Sequence, residues 1–333
     1  MKKKIAVLVG GYSHEAEISF KSGETVMKNL DLSIYDPIKI AIVENRWEAE
    51  WNGTKIPVDR NDFSVTIANE KIKFDAVFVA IHGTPGEDGK LQGYFDMLNI
   101  PYTTSGVLAS SLTFHKFYCN NLLRAKGILC ADSMLILPND KIDADEIISR
   151  LGLPCFAKPC DGGSSFGVTK IKSKEDVIPA VKKALEHGTG CVIESFIEGK
   201  EVTCGIFTLN GKTTTLPPTE IVSKNEFFDF EAKYQGMSEE ITPARISEEM
   251  TATIHKIIRE VYHYLGLNGV SRIDFIIKNS SPHEGGEKPY LIEVNTVPGL
   301  SDQSIIPQPA RCHGLTLTWL FTEMIEDAIQ RKK

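Results

Sequence analysis

In the first hundred or so residues, short apolar runs alternate with glycine-rich turns and amphipathic segments. Ile5 to Val9 is an apolar run typical of a buried strand, and two glycines follow it before an amphipathic helix that continues to about Leu30. Phe74 to Ile81 is a second such run, followed by the turn HGTPGEDG and the helical segment LQGYFDML. Strand, glycine turn and helix, repeated, predict an open parallel sheet with a ligand crevice at the C-terminal ends of its strands. We expect this domain to end near Ser105.

The segment from residue 106 to residue 198 combines helical and strand patterns. Three amphipathic stretches predict helices, at about Leu112 to Gly127, Asp143 to Gly152 and Ser173 to His187. Three apolar stretches predict strands, with the sequences PCFAKP, VTKI and CVIESFI, and the loop CDGGSSFG joins the first two of them. This arrangement indicates a compact α+β module.

After Gly199 the pattern changes to strands and loops, with a hairpin turn predicted at Asn210 and Gly211. A long helix is predicted from about Ser247 to Leu265, and a terminal helix from Thr316 to Gln330. Apolar residues of the long helix recur with i, i+3, i+4, i+7 spacing, at Ile254, Ile257, Ile258, Val261, Tyr262 and Leu265. Such a stripe is typical of a core face rather than a binding face.

Composition and charge narrow the class of protein. The chain has 333 residues, 42% of them hydrophobic, which is enough for two or three domains with substantial cores. The net charge is -7 and no basic stripe appears, so neither nucleic acid nor an anionic membrane is expected as a partner. No apolar run approaches the roughly 18 residues of a membrane span, and no cleavable leader is evident at the N-terminus. We therefore expect a soluble, cytoplasmic protein.

The cysteines support a reducing environment. There are seven, no two form a C-x-x-C pair, and the odd number does not suggest a disulfide framework. Cys160 lies beside a candidate phosphate loop, where we expect it to be a small buried hydrophobic residue rather than a modified thiol.

Two strand-like segments carry candidate metal ligands. Asp274 lies in SRIDFIIK, and Glu293 and Asn295 lie two apart in LIEVNTVPGL, so that alternation directs the latter two side chains to one face. If the segments pair as an antiparallel hairpin, all three side chains converge with Arg272 beside them. Two carboxylates and an amide oxygen suit Mg²⁺ bound together with phosphates. The alternative is an ordinary hairpin whose polar face meets water.

A second candidate is the loop GGSSFG, residues 162 to 167. The chain has neither a G-x-x-x-x-G-K-S/T motif nor a G-x-G-x-x-G motif. The glycines of GGSSFG permit close backbone approach, and its N–H groups and hydroxyls are able to wrap phosphate oxygens, with Lys158 on the preceding strand. Alone, such a loop is more often a plain turn. Together with the metal hairpin, it indicates a phosphate-binding lid.

At this point the chain resembles the D-alanine:D-alanine ligases, which are members of the ATP-grasp family. The resemblance covers the chain from Ile5 to the terminal helix and rests on eight motifs in order: GGYSHEAEIS, HGTPGEDGxLQG, FHK, FAKPxxGGSSFGV, VIESFIEGKEVT, FFDFEAKY, SRIDF and EVNTVPGLSDQSIIP. It implies an α/β and α+β fold, an ATP-grasp fold with an N-terminal Rossmann-like domain. The implied domains are 1–105, with the first D-alanine subsite, 106–198, with the phosphate loop, and 199–333, with the metal site and a mobile loop.

The resemblance also implies a reaction and its cofactors. One D-alanine carboxylate attacks the γ-phosphate of ATP to give an acyl phosphate, and the amine of a second D-alanine then displaces phosphate. Two Mg²⁺ ions, or Mn²⁺ in their place, would be held by Asp274, Glu293 and Asn295, with Glu293 bridging them. The implied phosphate contacts are Lys116, Lys158, Ser164, Ser165 and Lys233. The implied adenine and ribose contacts are Glu194, Ser195, Phe196, Ile197 and Glu201. A homodimer is also implied.

For the amino acids, Glu15 matches the family residue that receives the ammonium of the first D-alanine, and His82 would line the same subsite. A neutral His82 satisfied by loop carbonyls is the alternative for that residue. Arg272 and the N–H of Gly299 would stabilise the acyl phosphate and the oxyanion. Ser304 and Ile305 would hold the second D-alanine, and Tyr234 would reach Glu15 and Ser164 to close the site against water.

Three rival functions stay open: a D-alanine:D-lactate or D-serine ligase, another ATP-grasp carboxylate ligase, and a catalytically dead nucleotide-binding module. The intact EAKY segment disfavours the first. The presence of Glu15, Tyr234 and Ser304 disfavours the second, and the presence of Asp274, Glu293 and Arg272 disfavours the third. The chain departs from the commonest family pattern at Thr84 and Pro85, at Phe166, and at Phe114 and His115. We interpret these departures as variation in packing, since none removes a ligand or a charge that the chemistry uses.

Overall fold

The computed structural model describes residues 2–164, 166–209, 211–223, 238–278 and 286–332. Their strands form three sheets, which we call the N-terminal sheet (β1 to β7), the central sheet (β8 to β11) and the C-terminal sheet (β12 to β17). In the part of the chain that is described, no helix is both long enough and apolar enough to cross a membrane.

The N-terminal sheet has the order β6-β5-β4-β3-β2-β1-β7. Its strands are β1 Lys3–Gly10, β2 Tyr35–Val43, β3 Arg46–Trp51, β4 Thr54–Asp59, β5 Ser64–Ile67, β6 Glu70–Ile72 and β7 Ala76–Val79. Only β1 runs parallel to its neighbours, β2 and β7, whereas β2 to β6 form an antiparallel meander. The expectation of a wholly parallel sheet is therefore wrong. The connections between these strands are short turns, which are too short for the crossover that a parallel pair requires.

Helix α1, Ala16–Asn29, covers the parallel end of the N-terminal sheet, and α2, Lys90–Met97, follows the second glycine turn. Gly23 allows α1 to lie very close to the sheet, because a Cβ atom there would stand 2.0 Å from Cγ1 of Val9. The predicted pairing of strand, glycine turn and helix is confirmed at both places. It puts the turns before α1 and α2 side by side at one edge of the sheet.

The central sheet has the order β10-β9-β11-β8, with β8 Ser133–Ile136, β9 Cys155–Pro159, β10 Thr169–Ile171 and β11 Cys191–Ser195. Its helices are α3 Val107–Phe114, α4 Lys116–Ala125, α5 Ala144–Leu151 and α6 Val177–Leu185, the last preceded by a 3₁₀ turn at Lys174–Asp176. The predicted single helix from Leu112 to Gly127 is wrong. His115 adopts an extended conformation that ends α3 and caps α4, with its side chain accepting from the N–H of Tyr118.

The C-terminal sheet has the order β15-β14-β12-β16-β17, with β13 paired to β12. Its strands are β12 Gly199–Leu209, β13 Lys212–Thr215, β14 Thr219–Ser223, β15 Ser238–Ile241, β16 Gly269–Lys278 and β17 Lys288–Asn295. Helix α7, Glu248–Tyr264, packs its predicted stripe into the core, where Ile254 and Ile258 have no exposed surface. Asn210, half of the predicted hairpin turn, lies outside the described residues.

Two further helices end the chain: α8, Pro307–Cys312, which no sequence pattern predicted, and α9, Leu317–Arg331, which was predicted. Helix α9 packs on the N-terminal sheet, where the rings of Phe78 and Phe321 meet edge to face with centroids 5.5 Å apart. Lys3 and Tyr35 of that sheet both hydrogen-bond Glu326, each at 2.6 Å. The first and last parts of the chain therefore share one core.

Candidate active site

A cleft of about 1410 Å³ lies where the three sheets meet. Seventeen predicted site residues line it, from all three parts of the chain: Glu15, His82, Lys116, Lys158, Ser164, Glu194, Ser195, Phe196, Ile197, Glu201, Arg272, Asp274, Glu293, Asn295, Gly299, Ser304 and Ile305. The other three, Ser165, Lys233 and Tyr234, lie outside the described residues, as does the FFDFEAKY segment that holds two of them.

One wall of the cleft is the hairpin of β16 and β17. The strands are antiparallel, with Asp274 opposite Glu293 and Arg272 opposite Asn295. The antiparallel hairpin on which the convergence of these side chains depended is therefore present. Arg272 holds both oxygens of Asp274, through Nε at 2.9 Å and a terminal nitrogen at 2.8 Å. Asn295 Nδ2 donates to Oδ2 of Asp274 at 3.1 Å, and the Thr203 hydroxyl donates to its Oδ1. A planar guanidinium bound in this way fixes the carboxylate in orientation.

Lys116 links this hairpin to the phosphate loop. Its backbone N–H donates to the carbonyl of Cys160 at 2.8 Å, and its Nζ lies 3.4 Å from Oε2 of Glu293 and 2.5 Å from the carbonyl of Gly162. The break at His115 makes this possible, because it places Lys116 at the first turn of α4. Burial lowers the pKa of the Lys116 ammonium, but Glu293 and more distant carboxylates outweigh burial and leave that pKa above its ordinary value.

The hairpin suits a hard cation that also binds phosphate. Within the described ranges, no three His, Cys, Asp or Glu side chains lie close enough together to hold a metal ion. Asp274, Glu293 and Asn295 supply two carboxylates and an amide, and phosphate oxygens and water are the ligands that would complete six-coordination around Mg²⁺. Arg272 and Lys116 now balance the two carboxylates, so the site already requires compensating positive charge.

On the opposite wall, Glu15 lies between two glycine turns. The Ser164 hydroxyl donates to Oε1 of Glu15 at 2.7 Å. A Cβ atom on Gly163 would come within 2.6 Å of that oxygen, and one on Gly83 within 2.9 Å of Oε2, so a larger residue at either position would displace the Glu15 carboxylate. Oε2 of Glu15 is buried and has no hydrogen-bond partner in the described structure. A buried carboxylate oxygen without a donor is a ready acceptor for a cationic group.

His82 and Glu87 come from the turn HGTPGEDG and are both buried. Both ring nitrogens of His82 have partners, Nε2 with the Ser22 hydroxyl at 2.9 Å and Nδ1 with the carbonyl of Val297 at 2.8 Å. His82 therefore lines the cleft without a ring nitrogen to offer a ligand. Burial raises the pKa of the Glu87 carboxyl to about 8, and the nearby Glu15 carboxylate adds to the increase.

The predicted adenine segment, residues 194 to 197, also lines the cleft. Glu194 pairs with Lys158 at 2.6 Å and lies 3.5 Å from Nδ2 of Asn120, which also donates to the carbonyl of Ile292. The N–H groups of Ser195 and Phe196 donate to carbonyls of neighbouring loops. Base recognition by those two N–H groups would therefore require their present bonds to open.

Gly299 and Ser304 lie together at the opening of the loop after β17. Ser304 Oγ is 2.6 Å from the place that a Cβ atom on Gly299 would occupy, so no larger residue fits there without displacement. Ser304 Oγ also shares a hydrogen bond of 2.7 Å with Ser301 Oγ. The hydroxyl of Ser304 thus stands directly beside the backbone of Gly299.

Two departures from the family pattern have visible packing roles. The ring of Phe166 stacks on His14, with centroids 4.1 Å apart, and meets His187 edge to face at 4.9 Å. The Thr84 hydroxyl donates to Asp88 at 2.6 Å. These contacts join the phosphate loop to the turn before α1 and brace the second glycine turn, in agreement with variation in packing.

Sequence reasoning missed four residues of the site: Ser22, Glu87, Asn120 and Thr203. Glu87 carried a signal, an acidic residue inside a glycine turn at a strand end. Thr203 faces Asp274 across the sheet and is visible only once β12 is paired with β16. Ser22 and Asn120 lie in the middle of helices and show nothing in the sequence that separates them from structural polar residues.

Two models of one protein family match successive parts of the chain. The family model for the N-terminus of D-ala D-ala ligases matches residues 4–105, and the model for the C-terminus matches residues 122–326. A D-alanine–D-alanine ligase of Azobacteroides pseudotrichonymphae is 48% identical over 97% of this chain and 99% of its own length.

Two solved structures have the same fold over nearly their whole length. The VanG D-Ala:D-Ser ligase of Enterococcus faecalis is 31% identical, with a TM-score of 0.85 over 100% of both chains. A D-alanine–D-alanine ligase of Bacillus anthracis complexed with ATP is 28% identical, with a TM-score of 0.78 over 99% of this chain and 98% of that one. With both family models matched in order and a relative aligned end to end, the chain belongs to the D-alanine–D-alanine ligase family, whose fold is the ATP-grasp fold.

Proposed function

We propose that the cleft joins two D-alanines into D-alanyl-D-alanine, a building block of peptidoglycan precursors, with ATP as phosphoryl donor and D-alanyl phosphate as intermediate. One observation carries the proposal: among the described residues, Oε2 of Glu15 is buried and has no hydrogen-bond partner, and it lies in the same cleft as the charged hairpin of Arg272, Asp274 and Glu293. An amino acid requires an anionic acceptor for its ammonium, and phosphoryl transfer requires fixed charges around the phosphates. The cleft supplies both.

In the first step, a carboxylate oxygen of the first D-alanine attacks the γ-phosphorus of ATP, an O–P bond forms, and the bond to ADP breaks. Lys116, Lys158 and Arg272 would neutralise the negative charge of the phosphates. This assignment is supported by their ion pairs, because each of the three is held in place by a carboxylate of the cleft. Preorganised charge of this kind is the main source of catalysis in phosphoryl transfer. Ser164 would add a hydroxyl from the loop, and roles for Ser165 and Lys233 stay predictions from the sequence.

Two Mg²⁺ ions, or Mn²⁺ in their place, are proposed for the ligands Asp274, Glu293 and Asn295, with Glu293 shared. The hard oxygen donors and their shared face on β16 and β17 support this assignment. When bound, the ions would neutralise the β- and γ-phosphates. Arg272 and Lys116 would then be released in part from the carboxylates that they now balance.

In the second step, the neutral amine of the second D-alanine attacks the carbonyl carbon of the acyl phosphate. A C–N bond forms and an oxyanion develops. The C–O bond to phosphate then breaks as the carbonyl is restored, and the proton that the amine nitrogen loses leaves with the phosphate. The guanidinium of Arg272 and the N–H of Gly299 are the proposed donors to the oxyanion. Ser304, beside Gly299, and Ile305 are proposed to hold the carboxylate of the second substrate.

The first D-alanine is proposed to bind with its ammonium on Glu15. Ser164 occupies the other carboxylate oxygen of Glu15 and so ties this subsite to the phosphate loop. His82 lines the subsite. Tyr234 is proposed from the EAKY motif alone to complete a hydrogen-bonded set with Glu15 and Ser164. Adenine is proposed to lie along residues 194 to 197, with its ribose on Glu201.

The three domains, 1–105, 106–198 and 199–333, remain our proposed division of the chain. Its support is that each of the three sheets falls within one of these ranges. The terminal helix is the exception to independent packing, because it shares the core of the N-terminal sheet. We place the reaction in the cytoplasm, which suits a chain whose seven cysteines are all free thiols.

A homodimer is proposed through the exposed apolar surface of α2 and α3. Met97 is 82% exposed, Leu108 79% and Val107 40%, and the two helices are neighbours. Contiguous apolar surface of this kind is typical of an interface, and a second copy of the chain is the occupant we propose.

Leu108→Lys is expected to convert a dimer to a monomer in light scattering after gel filtration. Leu137→Lys, at a residue 44% exposed on the central domain, should leave the mass unchanged. A monomeric parent protein would contradict the proposal.

The activity is tested by phosphate release from ATP with D-alanine, L-alanine or no amino acid. Of these three reactions, we expect phosphate release only in the one that contains D-alanine, and we expect chromatography to show a dipeptide product in it. A parallel reaction with D-alanine and excess D-lactate or D-serine separates the mixed ligases of the same fold from this one. Release independent of any amino acid, or a mixed product as the main one, would reject the proposal.

A further inference from the structure

The segment Val297 to Leu300, which follows β17 and contains Gly299, is held by side chains from the other end of the chain. Three residues of the N-terminal part bind its backbone: Ser22 on α1, and His82 and Glu87 in the second glycine turn. Their exposed fractions are 0%, 4% and 9%. Buried polar side chains that are fully hydrogen-bonded fix the groups that they bind.

The direction of each hydrogen bond follows from chemistry. The carbonyl of Val297 only accepts, so Nδ1 of His82 donates to it, at 2.8 Å. Burial lowers the pKa of His82, which keeps the ring neutral and makes Nε2 an acceptor. The Ser22 hydroxyl therefore donates to Nε2 at 2.9 Å, and its oxygen accepts from the N–H of Leu300 at 3.1 Å. One chain of three bonds connects Leu300, Ser22, His82 and Val297.

Glu87 closes the arrangement from the other side. Its Oε1 accepts from the N–H of Val297 at 3.0 Å and its Oε2 from the N–H of Gly83 at 2.7 Å. Both polar backbone groups of Val297 and the N–H of Leu300 are thus bound to N-terminal side chains. Pro298 has no N–H. We call the set of Ser22, His82 and Glu87 the clamp. The N–H of Gly299 lies between the backbone groups that the clamp binds and is not itself bound by the clamp.

We propose that Ser22 is a positioning residue for ligation, which aims the N–H of Gly299 at the developing oxyanion. Ser22 acts through its bond to Leu300, and His82 and Glu87 act through their bonds to Val297. The inference rests on the proposed function, in which Gly299 is an oxyanion donor. Ser22 has no exposed surface and does not line the cleft. Without its hydroxyl, the N–H of Leu300 and Nε2 of His82 lose a buried partner. The peptide unit that joins Gly299 to Leu300 then loses its restraint, while Val297 stays bound to His82 and Glu87.

This role predicts a loss in one step only. Oxyanion stabilisation belongs to amine attack, whereas transfer of the γ-phosphoryl group depends on the lysines and the metal hairpin. Phosphoryl transfer to D-alanine is measured as the migration of ¹⁸O from the β,γ-bridge of labelled ATP. Ligation is measured as the amount of dipeptide formed in the same reaction. In Ser22→Ala, the ratio of label migration to dipeptide should rise on the order of tenfold, part of the loss typical of a removed oxyanion donor.

Ser19→Ala is the matched control. Ser19 lies one turn earlier on α1, is equally buried, and also makes two hydrogen bonds, from the N–H of Gly10 at 2.8 Å and to the carbonyl of Ala80 at 2.7 Å. Neither bond reaches Val297 to Leu300. Ser19→Ala should lower the melting temperature about as much as Ser22→Ala and leave the ratio at the parent value. Ser22→Thr, which keeps a hydroxyl, should restore much of the ligation.

Glu87→Gln tests the same clamp if Ser22→Ala does not fold. The glutamine amide nitrogen is a donor, so it cannot accept from one of the two N–H groups that now donate to Glu87. It should raise the ratio in the same direction. The inference is overturned if folded Ser22→Ala and Glu87→Gln keep the parent ratio, or if Ser19→Ala changes it equally. Failure of the proposed function is a different result, in which the parent enzyme itself shows neither label migration nor dipeptide.

Discussion

At the scale of single residues, the cleft is organised by carboxylates whose surroundings differ. Asp274 is bound on both oxygens by Arg272, and Glu293 faces Lys116. In the described part of the chain, Glu15 has one buried oxygen without a hydrogen-bond partner, whereas both oxygens of Glu87 accept from backbone N–H groups. All four residues are aspartate or glutamate. The groups around each one therefore decide whether its carboxylate suits a metal ion, an ammonium group or a structural hydrogen bond.

Glu293→Gln should nearly abolish turnover, by about 100-fold or more, while the protein stays folded. An amide keeps the shape of the side chain but supplies no charge to neutralise divalent ions or to hold Lys116. The measurement is kcat at saturating ATP, D-alanine and Mg²⁺. Glu287→Gln is the control, since Glu287 is exposed and lies outside the cleft in the same hairpin. Parent-like turnover in Glu293→Gln would remove this residue from the metal site.

Glu87 gives a pH prediction for stability. Its folded pKa of about 8 is above the ordinary value of 4.5, so the folded protein binds the proton more tightly than the unfolded chain. Its contribution to the free energy of unfolding is therefore complete below about pH 4.5 and is lost as pH rises to about 8. Glu87→Gln has no proton to lose. The stability of the parent relative to this variant should fall between pH 5 and pH 8.5 in urea unfolding, and an equal difference at both values would show that Glu87 is ionised throughout.

At the scale of elements, the phosphate loop and the turn before α1 are fitted to one another. Ser164 binds Glu15, Gly163 lies against the same carboxylate, and Phe166 stacks on His14. Three successive parts of a short loop therefore contact the turn that carries the proposed first subsite. A change in the loop should be felt by the amino acid as well as by ATP.

Gly163→Ala should lower kcat/KM for D-alanine on the order of tenfold or more, because its Cβ atom would meet Oε1 of Glu15 at 2.6 Å and displace the carboxylate. The KM for ATP should change much less. Gly93→Ala serves as the control, since the nearest atom to its new Cβ is 3.8 Å away. If Gly163→Ala raises only the KM for ATP, Glu15 and the loop are not coupled in the way proposed.

At the scale of the whole molecule, the two ends of the chain meet in one core. Helix α9 lies on β1 and β7, and its Phe321 is completely buried against Phe78. The same connection carries the loop after β17 onto the N-terminal part, where Ser22 and Glu87 bind it. A cleft formed by parts so distant in sequence depends on this joint core.

Phe321→Ala should lower the free energy of unfolding by about 3 to 5 kcal/mol, the usual cost of removing a buried aromatic ring. Trp319→Ala, on the same helix but 41% exposed, should cost much less. Urea unfolding monitored by far-ultraviolet circular dichroism measures both. Similar losses in the two variants would mean that α9 does not anchor the N-terminal sheet.

The sequence by itself determined the local features of this protein. Alternation in LIEVNTVPGL was enough to direct Glu293 and Asn295 to one face, because a strand has a fixed period of two. The register that sets Asp274 opposite Glu293 came from the pairing of β16 with β17. Cap residues and apolar stripes likewise located α5, α7 and α9. The motifs identified the family, since their order along the chain is itself a strong signature.

Only the tertiary structure decided the features that depend on pairing between distant segments. The pairing of β12 with β16 and the packing of α9 on the N-terminal sheet depend on contacts that no local window contains. Ser22 and Ser19 are both buried serines of one helix, yet only Ser22 meets Leu300, nearly the whole chain away. Local periodicity fixes which way a side chain points, but its partner is chosen by how the sheets and helices pack, and that packing gives Ser22 its place beside the cleft.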